Sequence, residues 1–326
     1  MFSLLLAAPA SIKLAASRGS DTDMADAEPT LEALRAEIDA IDEDLHRQIM
    51  RRAEVALRIR AAKSANGGEA VFMRPGREAQ VLRRLLEHHQ GQFPRAVIVR
   101  LWREIMTAVL RMQGPFSLAV YAPERAAGYW DLARDHFGSL TPASAHDSPQ
   151  QVLTALAAGR ASVGVLPMPD ADDPQPWWTN LLSHDPKRPR VVARLPFGSG
   201  ETVRGAPLEA LAVAPVSVEP TGRDRTLLIV EAGGPMSRSE LASRVKAAGF
   251  ETAVIQSWRT ASEHPVWLHL LDVEGYLTPD DARLTRLAER IGESVRQVWP
   301  VGTYAVPLAA SDLNPGSRPS TEGKAP

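Results

Sequence analysis

The segment from Thr30 to Ser64 contains neither glycine nor proline, and this continuity constrains the fold of the chain more than any other feature. Its apolar residues recur at steps of three and four, which is typical of an amphipathic helix. Thr30 is expected to cap the helix, and Glu32 lies in the first turn, where the helix dipole favours an anion. The sequence therefore predicts one long amphipathic helix, with an apolar stripe formed by Leu31, Leu34, Ile38, Ile41, Leu45, Ile49, Ala56 and Ile59.

Two shorter helices are predicted after the long one. They cover Arg77–His89 and Pro94–Gln113, and both carry apolar residues at helical spacing. Glycine commonly interrupts helices. Gly67-Gly68 therefore marks the first connection between the helices, and Gly91 marks the second. The first part of the chain is thus predicted to be an all-α set of three helices in the order long, short, long.

Two cations interrupt the apolar stripe of the long helix. Continuing the spacing from Leu45 and Ile49 places Arg52 and Lys63 where apolar residues are expected. They are 11 residues apart, so they lie within about 20° of one face and roughly 16 Å apart along the axis. Long side chains at a helix edge can extend to solvent. The alternative is that an anion meets these cations, since an unpaired charge in an apolar stripe is costly.

Arg35 lies too far along the same helix to reach that pair. It precedes Arg52 by 17 residues, which places it roughly 25 Å away and about 100° around the helix. If Arg35 contributes to an anion site, we expect it to serve the site of a neighbouring subunit. This reach predicts that the long helix pairs with its symmetry mate.

Charge and composition exclude several kinds of chemistry. The chain has 326 residues, with 37 Lys and Arg against 39 Asp and Glu, so it has no global basic field for nucleic acid. It has no cysteine, and its eight histidines lack the spacing of a metal site. We therefore expect no nucleic-acid partner, no cofactor and no bound metal.

The combination of these positions resembles the all-helical chorismate mutases of the shikimate pathway. The resemblance covers about residues 30–113 and rests on Leu34-Arg35, Arg52, Lys63, Arg77-Glu78 and Gln113. It implies an intertwined helical homodimer with chorismate as the small-molecule substrate. It further implies that Arg52, Lys63 and Arg77 bind the carboxylates and ether oxygen, that Arg35 reaches in from the partner chain, that Glu78 holds the ring hydroxyl, and that Gln113 donates to the ether oxygen.

The chemistry of this reaction fits such a residue set. Chorismate rearranges to prephenate in an intramolecular pericyclic step, so no nucleophile, metal or proton-transfer base is required. The protein must hold a flexible dianion in its compact conformer and stabilise negative charge on the ether oxygen. Arginine suits the carboxylates, while a buried, charged Lys63 and the Gln113 amide suit the ether oxygen. Arg52, Lys63 and Gln113 are the predicted catalytic residues.

Two positions depart from the family pattern. The family often has an acidic or small polar residue three before the Arg-Glu pair, and a small polar or thiol residue four before the glutamine. This chain has Arg74 and Val109 there. Arg74 is expected either to add a cation or to cap the loop, and Val109 removes one polar contact.

The composition changes near Gly114-Pro115 and again near Pro220-Thr221-Gly222, which predicts domains over 29–114, 115–220 and 221–310. The middle domain alternates strands and helices, typical of a small parallel α/β sheet. It resembles the first lobe of prephenate dehydratase. That family's Gly-Thr loop, Glu-Asn-Ser segment and Thr-Arg-Phe triplet are missing, so we expect a shortened remnant without dehydration, in which Trp177-Trp178 serves packing.

The last domain reads as β-α-β-β-α-β, a ferredoxin-like α+β order. Thr221–Thr226 and Gln256–Arg259 resemble segments of the ACT regulatory domain attached to prephenate dehydratases. The family's Gly-Ala-Leu and Glu-Ser-Arg-Pro segments are absent. Binding of phenylalanine or tyrosine therefore stays open, and the alternative is a structural or dimerising role.

The two ends of the sequence are expected to be disordered extensions, over 1–28 and 311–326, with Met24 as a candidate true start. The apolar run at 2–9 is too short to span a bilayer, so we expect no membrane partner and a cytoplasmic location. The leading interpretation is a dimeric chorismate mutase of aromatic amino-acid biosynthesis with a non-catalytic extension. The alternatives are a bifunctional mutase and dehydratase, and an ACT-based regulatory subunit dimerised by a mutase-like fold.

Overall fold

The computed structural model describes most of the chain between residues 29 and 314. The described residues are 29–65, 73–124, 128–170, 173–185, 187–198, 208–261, 265–292 and 294–314, without the side chains of 254 and 255. The expectations for 1–28 and for 315–326 lie outside this part. The chain divides into two compact units, residues 1–51 and residues 52–326.

The three predicted helices are present. They are α1 (Leu31–Ala65), α2 (Pro75–Glu87) and α3 (Arg95–Gln113). Helix α2 starts earlier than predicted because Pro75 occupies its first turn, where a missing N–H has no cost. Gly76 beside it is required by close packing, since a Cβ there would lie 2.6 Å from the Glu219 carbonyl oxygen.

The apolar stripe of α1 is exposed in the single chain. Leu31 is 63% exposed, Ile38 58% and Leu45 57%. Ala53 is the one buried residue of this helix. A stripe of this length without cover is unusual for a folded monomer and marks an interaction surface.

A mixed sheet follows the helices. Its first strands are β1 (Leu118–Tyr121), β2 (Ala143–His146) and β3 (Val163–Pro167), which are parallel as predicted and alternate with α4 (Gly128–Phe137) and α5 (Pro149–Ala157). Two further strands were not predicted. They are β4 (Arg190–Leu195) and β5 (Ala210–Ala214), and β5 runs antiparallel to both β3 and β4.

The remaining strands and helices follow the predicted β-α-β-β-α-β order. They are β6 (Asp224–Ala232), α6 (Arg238–Ala247), β7 (Thr252–Arg259), β8 (Trp267–Glu274), α7 (Ala282–Ile291) and β9 (Val295–Ala305). The four strands are antiparallel in the order β9-β6-β8-β7. Leucines and valines of this sheet pack against α6 and α7.

The expectation of a separate small parallel sheet is wrong, because the two sets of strands form one nine-stranded mixed sheet, in the order β2-β1-β3-β5-β4-β9-β6-β8-β7. The link is the parallel pair of β4 and β9, where Val191 lies beside Gly302. A Cβ at Gly302 would lie 2.3 Å from the Val191 backbone, so only glycine permits this approach. Trp177 and Trp178, each 1% exposed, pack in the core as expected.

Helices α2 and α3 pack near the ends of strands β4 and β9 through an apolar cluster. Its members are Ala79, Leu82, Leu86, Val99 and Met106 from the helices, and Phe197, Ala305, Leu308 and Leu313 from the segments around the sheet. The cluster includes a short helix, α8 (Ala310–Leu313). The expected disordered tail is therefore wrong over 311–313, because burial of Leu313 orders this segment. No helix among the described residues is long and apolar enough to cross a membrane.

Candidate active site

A largely buried ion pair joins helices α2 and α3. Glu78 lies in the first turn of α2, where the helix dipole favours its carboxylate. The Arg103 Nη1 on α3 donates a 2.8 Å hydrogen bond to Glu78 Oε2. The side chain of Arg103 is 5% exposed and that of Glu78 21%. A charge-assisted bond in such a site is stronger than one at the surface.

Arg52, in the second half of α1, completes an electrostatic group of three charges. Burial raises the pKa of Glu78, while the charge and hydrogen bond of Arg103 and the charge of Arg52 lower it. Burial also lowers the pKa of Arg52 although its residue is exposed overall, and Glu78 opposes that shift. Together, one carboxylate and two guanidinium groups carry a net charge of +1, which favours an anionic ligand.

The other predicted site residues are less constrained in the single chain. Lys63 lies in the last turn of α1 and is exposed in the single chain. Arg77 is exposed beside Glu78, and Gln113 is half-buried at the last residue of α3. None of these three side chains makes a hydrogen bond or ion pair within the described part of the chain. Arg35 belongs to the first unit and is exposed.

The two departures from the pattern have structural partners. Arg74 donates three hydrogen bonds to the carboxylate of Glu219, two from Nη2 at 2.6 and 2.7 Å and one from Nε at 3.2 Å. Arg74 was expected either to add a cation or to cap the loop. Its side chain instead joins the start of α2 to the segment before β6. Val109 is buried in α3.

Residues 34–114 match the family model described as chorismate mutase type II. The bifunctional chorismate mutase/prephenate dehydratase of Pseudomonas aeruginosa is 34% identical to this chain over 146 residues. That match covers 44% of this chain and 40% of the relative. The chain thus spans about two fifths of the length of this curated relative.

Two solved structures resemble the larger part of the chain. A quorum-quenching acylase, GqqA, is 16% identical, with a TM-score of 0.44 over 60% of this chain and 97% of its own. Prephenate dehydratase from Streptococcus mutans is 13% identical, with a TM-score of 0.42 over 59% of this chain and 98% of its own. Scores this low assign neither an activity nor a ligand.

Arg103 is the residue of this site that sequence reasoning missed. Its signal was present, because Val99, Arg103, Met106 and Leu110 follow one another at steps of four, three and four. These steps place Arg103 on the buried stripe of α3, just as Arg52 occupies a position of the apolar stripe of α1. The position of its carboxylate partner on another helix is not encoded in that spacing.

No metal site is present among residues of the described ranges, where no group of three or more histidine and acidic side chains is close enough to hold an ion. The segment at Gln256 is occupied by internal contacts. The indole of Trp178 donates a 2.5 Å hydrogen bond to Gln256 Oε1, and Ser257 Oγ lies 2.7 Å from His269 Nδ1. Trp258 Nε1 donates to the Pro174 carbonyl. These side chains already have partners without a ligand.

Proposed function

We propose that the helical region converts chorismate to prephenate as a homodimer. The observation that carries the proposal is the ion pair of Glu78 with Arg103, together with the charge of Arg52 acting on the same carboxylate, inside the region that matches the mutase family. A net positive, partly desolvated site suits a small dianion. The reaction needs such a charge arrangement and no external group.

In the proposed site each side chain has one task. Arg52, Arg77 and the partner subunit's Arg35 bind the two carboxylates of the substrate. Lys63 and Gln113 stabilise the ether oxygen, which gains negative charge as its C–O bond breaks. Glu78 accepts the hydrogen bond of the ring hydroxyl. Holding the substrate in its compact conformer supplies the rest of the acceleration.

The dimer is supported by the uncovered stripe of α1. Leu31, Ile38 and Leu45 are more than half exposed, and burying them against a second copy gains about 25 cal/mol for each Å² covered. Since Arg35 is about 25 Å along the helix from Arg52, an antiparallel partner helix is the arrangement that brings it to the site. Dimerisation would also cover the exposed Lys63.

For the C-terminal region we propose an ACT-like fold over 221–310 without catalysis of its own. The contacts of Gln256, Ser257 and Trp258 with other side chains and backbone favour a structural role over amino-acid binding. The bifunctional relatives support a second candidate, a mutase and dehydratase in one chain. The third candidate is a regulatory subunit in which the helices serve dimerisation alone. The proposal keeps the cytoplasmic location expected from the sequence.

One assay separates the three candidates. Purified protein is given chorismate, and the loss of chorismate and the formation of prephenate and phenylpyruvate are followed. We expect prephenate without phenylpyruvate above the spontaneous acid-catalysed rate. Phenylpyruvate above that rate would establish the bifunctional candidate, and no turnover of chorismate would support the regulatory subunit.

Variants test the site itself. Arg52→Ala and Lys63→Ala are expected to lower kcat/KM by at least about a hundredfold, in keeping with loss of one stabilising donor. Arg58→Ala is the matched control, because Arg58 is another exposed cation of α1 outside the proposed site. Equal activity of all three variants per folded molecule would contradict the assignment.

Calorimetry with phenylalanine and tyrosine tests the C-terminal region for amino-acid binding.

A further inference from the structure

The guanidinium of Arg103 is held from two sides by different parts of the chain. On one side it donates to Glu78 Oε2 at 2.8 Å. On the other side its Cζ lies 5.1 Å from the centroid of the Phe197 ring. A cation over an aromatic face at this distance is stabilised by the ring quadrupole, more so when it is buried.

Phe197 comes from the sheet region and not from the mutase helices. It follows the end of β4 and is 4% exposed. The guanidinium of Arg83 lies 5.9 Å from the same ring and donates to Thr221 and to the carbonyls of Arg223 and Val306. The sheet region that follows α3 thus lies directly against Arg103.

Two further ionisable groups interact electrostatically with the Glu78–Arg103 pair, one on α1 and one on α4. Arg52 of α1 and Arg103 of α3 act on Glu78. His136 of α4 is buried, and its pKa lies well below the ordinary value, first because of burial and second because of the charge of Arg103. His136 is therefore neutral at pH 7 and does not compete with Arg103 for the carboxylate.

We propose that Arg103 is a positioning residue that keeps Glu78 ionised and aimed at the substrate, and that Phe197 of the sheet region holds Arg103 in place. This inference rests on the proposed function, because it gives Glu78 its role toward the ring hydroxyl. It makes the sheet region that follows α3 a necessary part of the mutase site, even without catalysis of its own. An independent appended domain would not have this effect.

The physical reason lies in the cost of a buried carboxylate. Burial alone favours the protonated form of Glu78, and a protonated carboxyl loses one acceptor and gains a donor. Arg103 opposes this shift and fixes the rotamer of the carboxylate through one short bond. Removing Phe197 leaves the guanidinium free to turn away, which weakens both effects without changing any residue that touches the substrate.

The test compares Arg103→Met, Arg103→Lys and Phe197→Leu with the wild type. The matched control is Arg100→Met, because Arg100 lies on the same helix and pairs with Asp135 at the surface. We expect Arg103→Met to lower kcat/KM at pH 7 by about tenfold or more, and the acid limb of its pH profile to move to higher pH. Arg103→Lys should show a smaller loss of kcat/KM and a smaller shift of the acid limb than Arg103→Met. Phe197→Leu should show the same shift of the acid limb to a smaller extent. Arg100→Met should match the wild type.

One further measurement keeps the outcome unambiguous. The Glu78 carboxyl is titrated by ¹³C NMR, with Glu78→Gln identifying its signal, so the effect of Arg103 on Glu78 is measured whether or not the protein turns over chorismate. An unchanged titration and pH profile in Arg103→Met and Phe197→Leu would overturn the inference. If Arg103→Met does not fold, Arg103→Lys and Phe197→Leu decide it. Failure of the wild type to convert chorismate would instead overturn the proposed function.

Discussion

The hydroxyl of Tyr304 donates a 2.7 Å hydrogen bond to Asp272 Oδ2 inside the sheet. Tyr304 is 1% exposed, and the second carboxylate oxygen of Asp272 accepts from Arg225 Nε at 2.7 Å. Both burial and the nearby carboxylate raise the pKa of Tyr304, so it stays a neutral donor over the physiological range. The pair connects β8 with β9 across β6.

Tyr304→Phe is expected to destabilise the protein by about 1–3 kcal/mol, because Asp272 loses one of its two partners while buried. Chemical denaturation followed by circular dichroism measures this. Tyr276→Phe is the matched control, since the Tyr276 hydroxyl donates to the backbone of Val218 in a half-buried place. A smaller loss in Tyr304→Phe than in Tyr276→Phe would contradict the argument.

Gly302→Ala is expected to be more damaging than any other glycine substitution in the described ranges. Its Cβ would lie 2.3 Å from the Val191 backbone, so β4 and β9 must separate. Loss of that contact would divide the nine-stranded sheet into two. Gly234→Ala, where nothing lies within 4 Å of the new Cβ, is the control.

Thermal melting and limited proteolysis measure this effect. Gly302→Ala should melt at a lower temperature and be cleaved between β5 and β6, while Gly234→Ala behaves as the wild type. Equal melting temperatures for the two variants would show that the strand pair contributes little.

The sequence patterns predicted local elements better than the connections between them. The three helices and the β-α-β-β-α-β order could be predicted because periodicity and turn residues are local. Strand β5 (Ala210–Ala214) was missed because a short run of alanine and valine does not distinguish a buried strand from a helix segment. The pairing of Val191 with Gly302 joins residues far apart in sequence, which no periodicity records.

The same distinction applies to the candidate site. Arg52 was predicted as a site residue because it interrupts an apolar stripe, and Arg103 carries the same signal on α3. Its partner Glu78 was predicted to face substrate alone, since a spacing on one helix does not show which side chain of another helix lies opposite. The contribution of Phe197 depends on the way β4 ends beside α3, which only the fold reveals.

His136 predicts how stability depends on pH. Its pKa in the folded state lies well below the ordinary value, so between the two values the unfolded chain binds more protons than the folded one. Stability is therefore fully present above about pH 6.5 and is lost as the pH falls below it, by up to about 1.4 kcal/mol per pH unit.

Denaturation midpoints from pH 7.5 to 5 measure this dependence. His136→Gln should reduce the slope, because the titrating group is removed. His46→Gln is the control, since His46 is exposed on α1. A slope that is unchanged in His136→Gln would assign the acid sensitivity to other groups.

Ile38→Asp on α1 tests the dimer. A charge placed in an interface that buries this stripe is costly, because the aspartate loses its water without gaining a partner. The expected result is a monomer at micromolar concentration and a loss of mutase activity of at least about a hundredfold, since the partner's Arg35 is then missing. Glu43→Ala, a change at an exposed polar position of the same helix, should leave both the mass and the activity unchanged. Light scattering after size-exclusion chromatography measures the mass, and a dimeric, fully active Ile38→Asp protein would show that the stripe of α1 is not the interface.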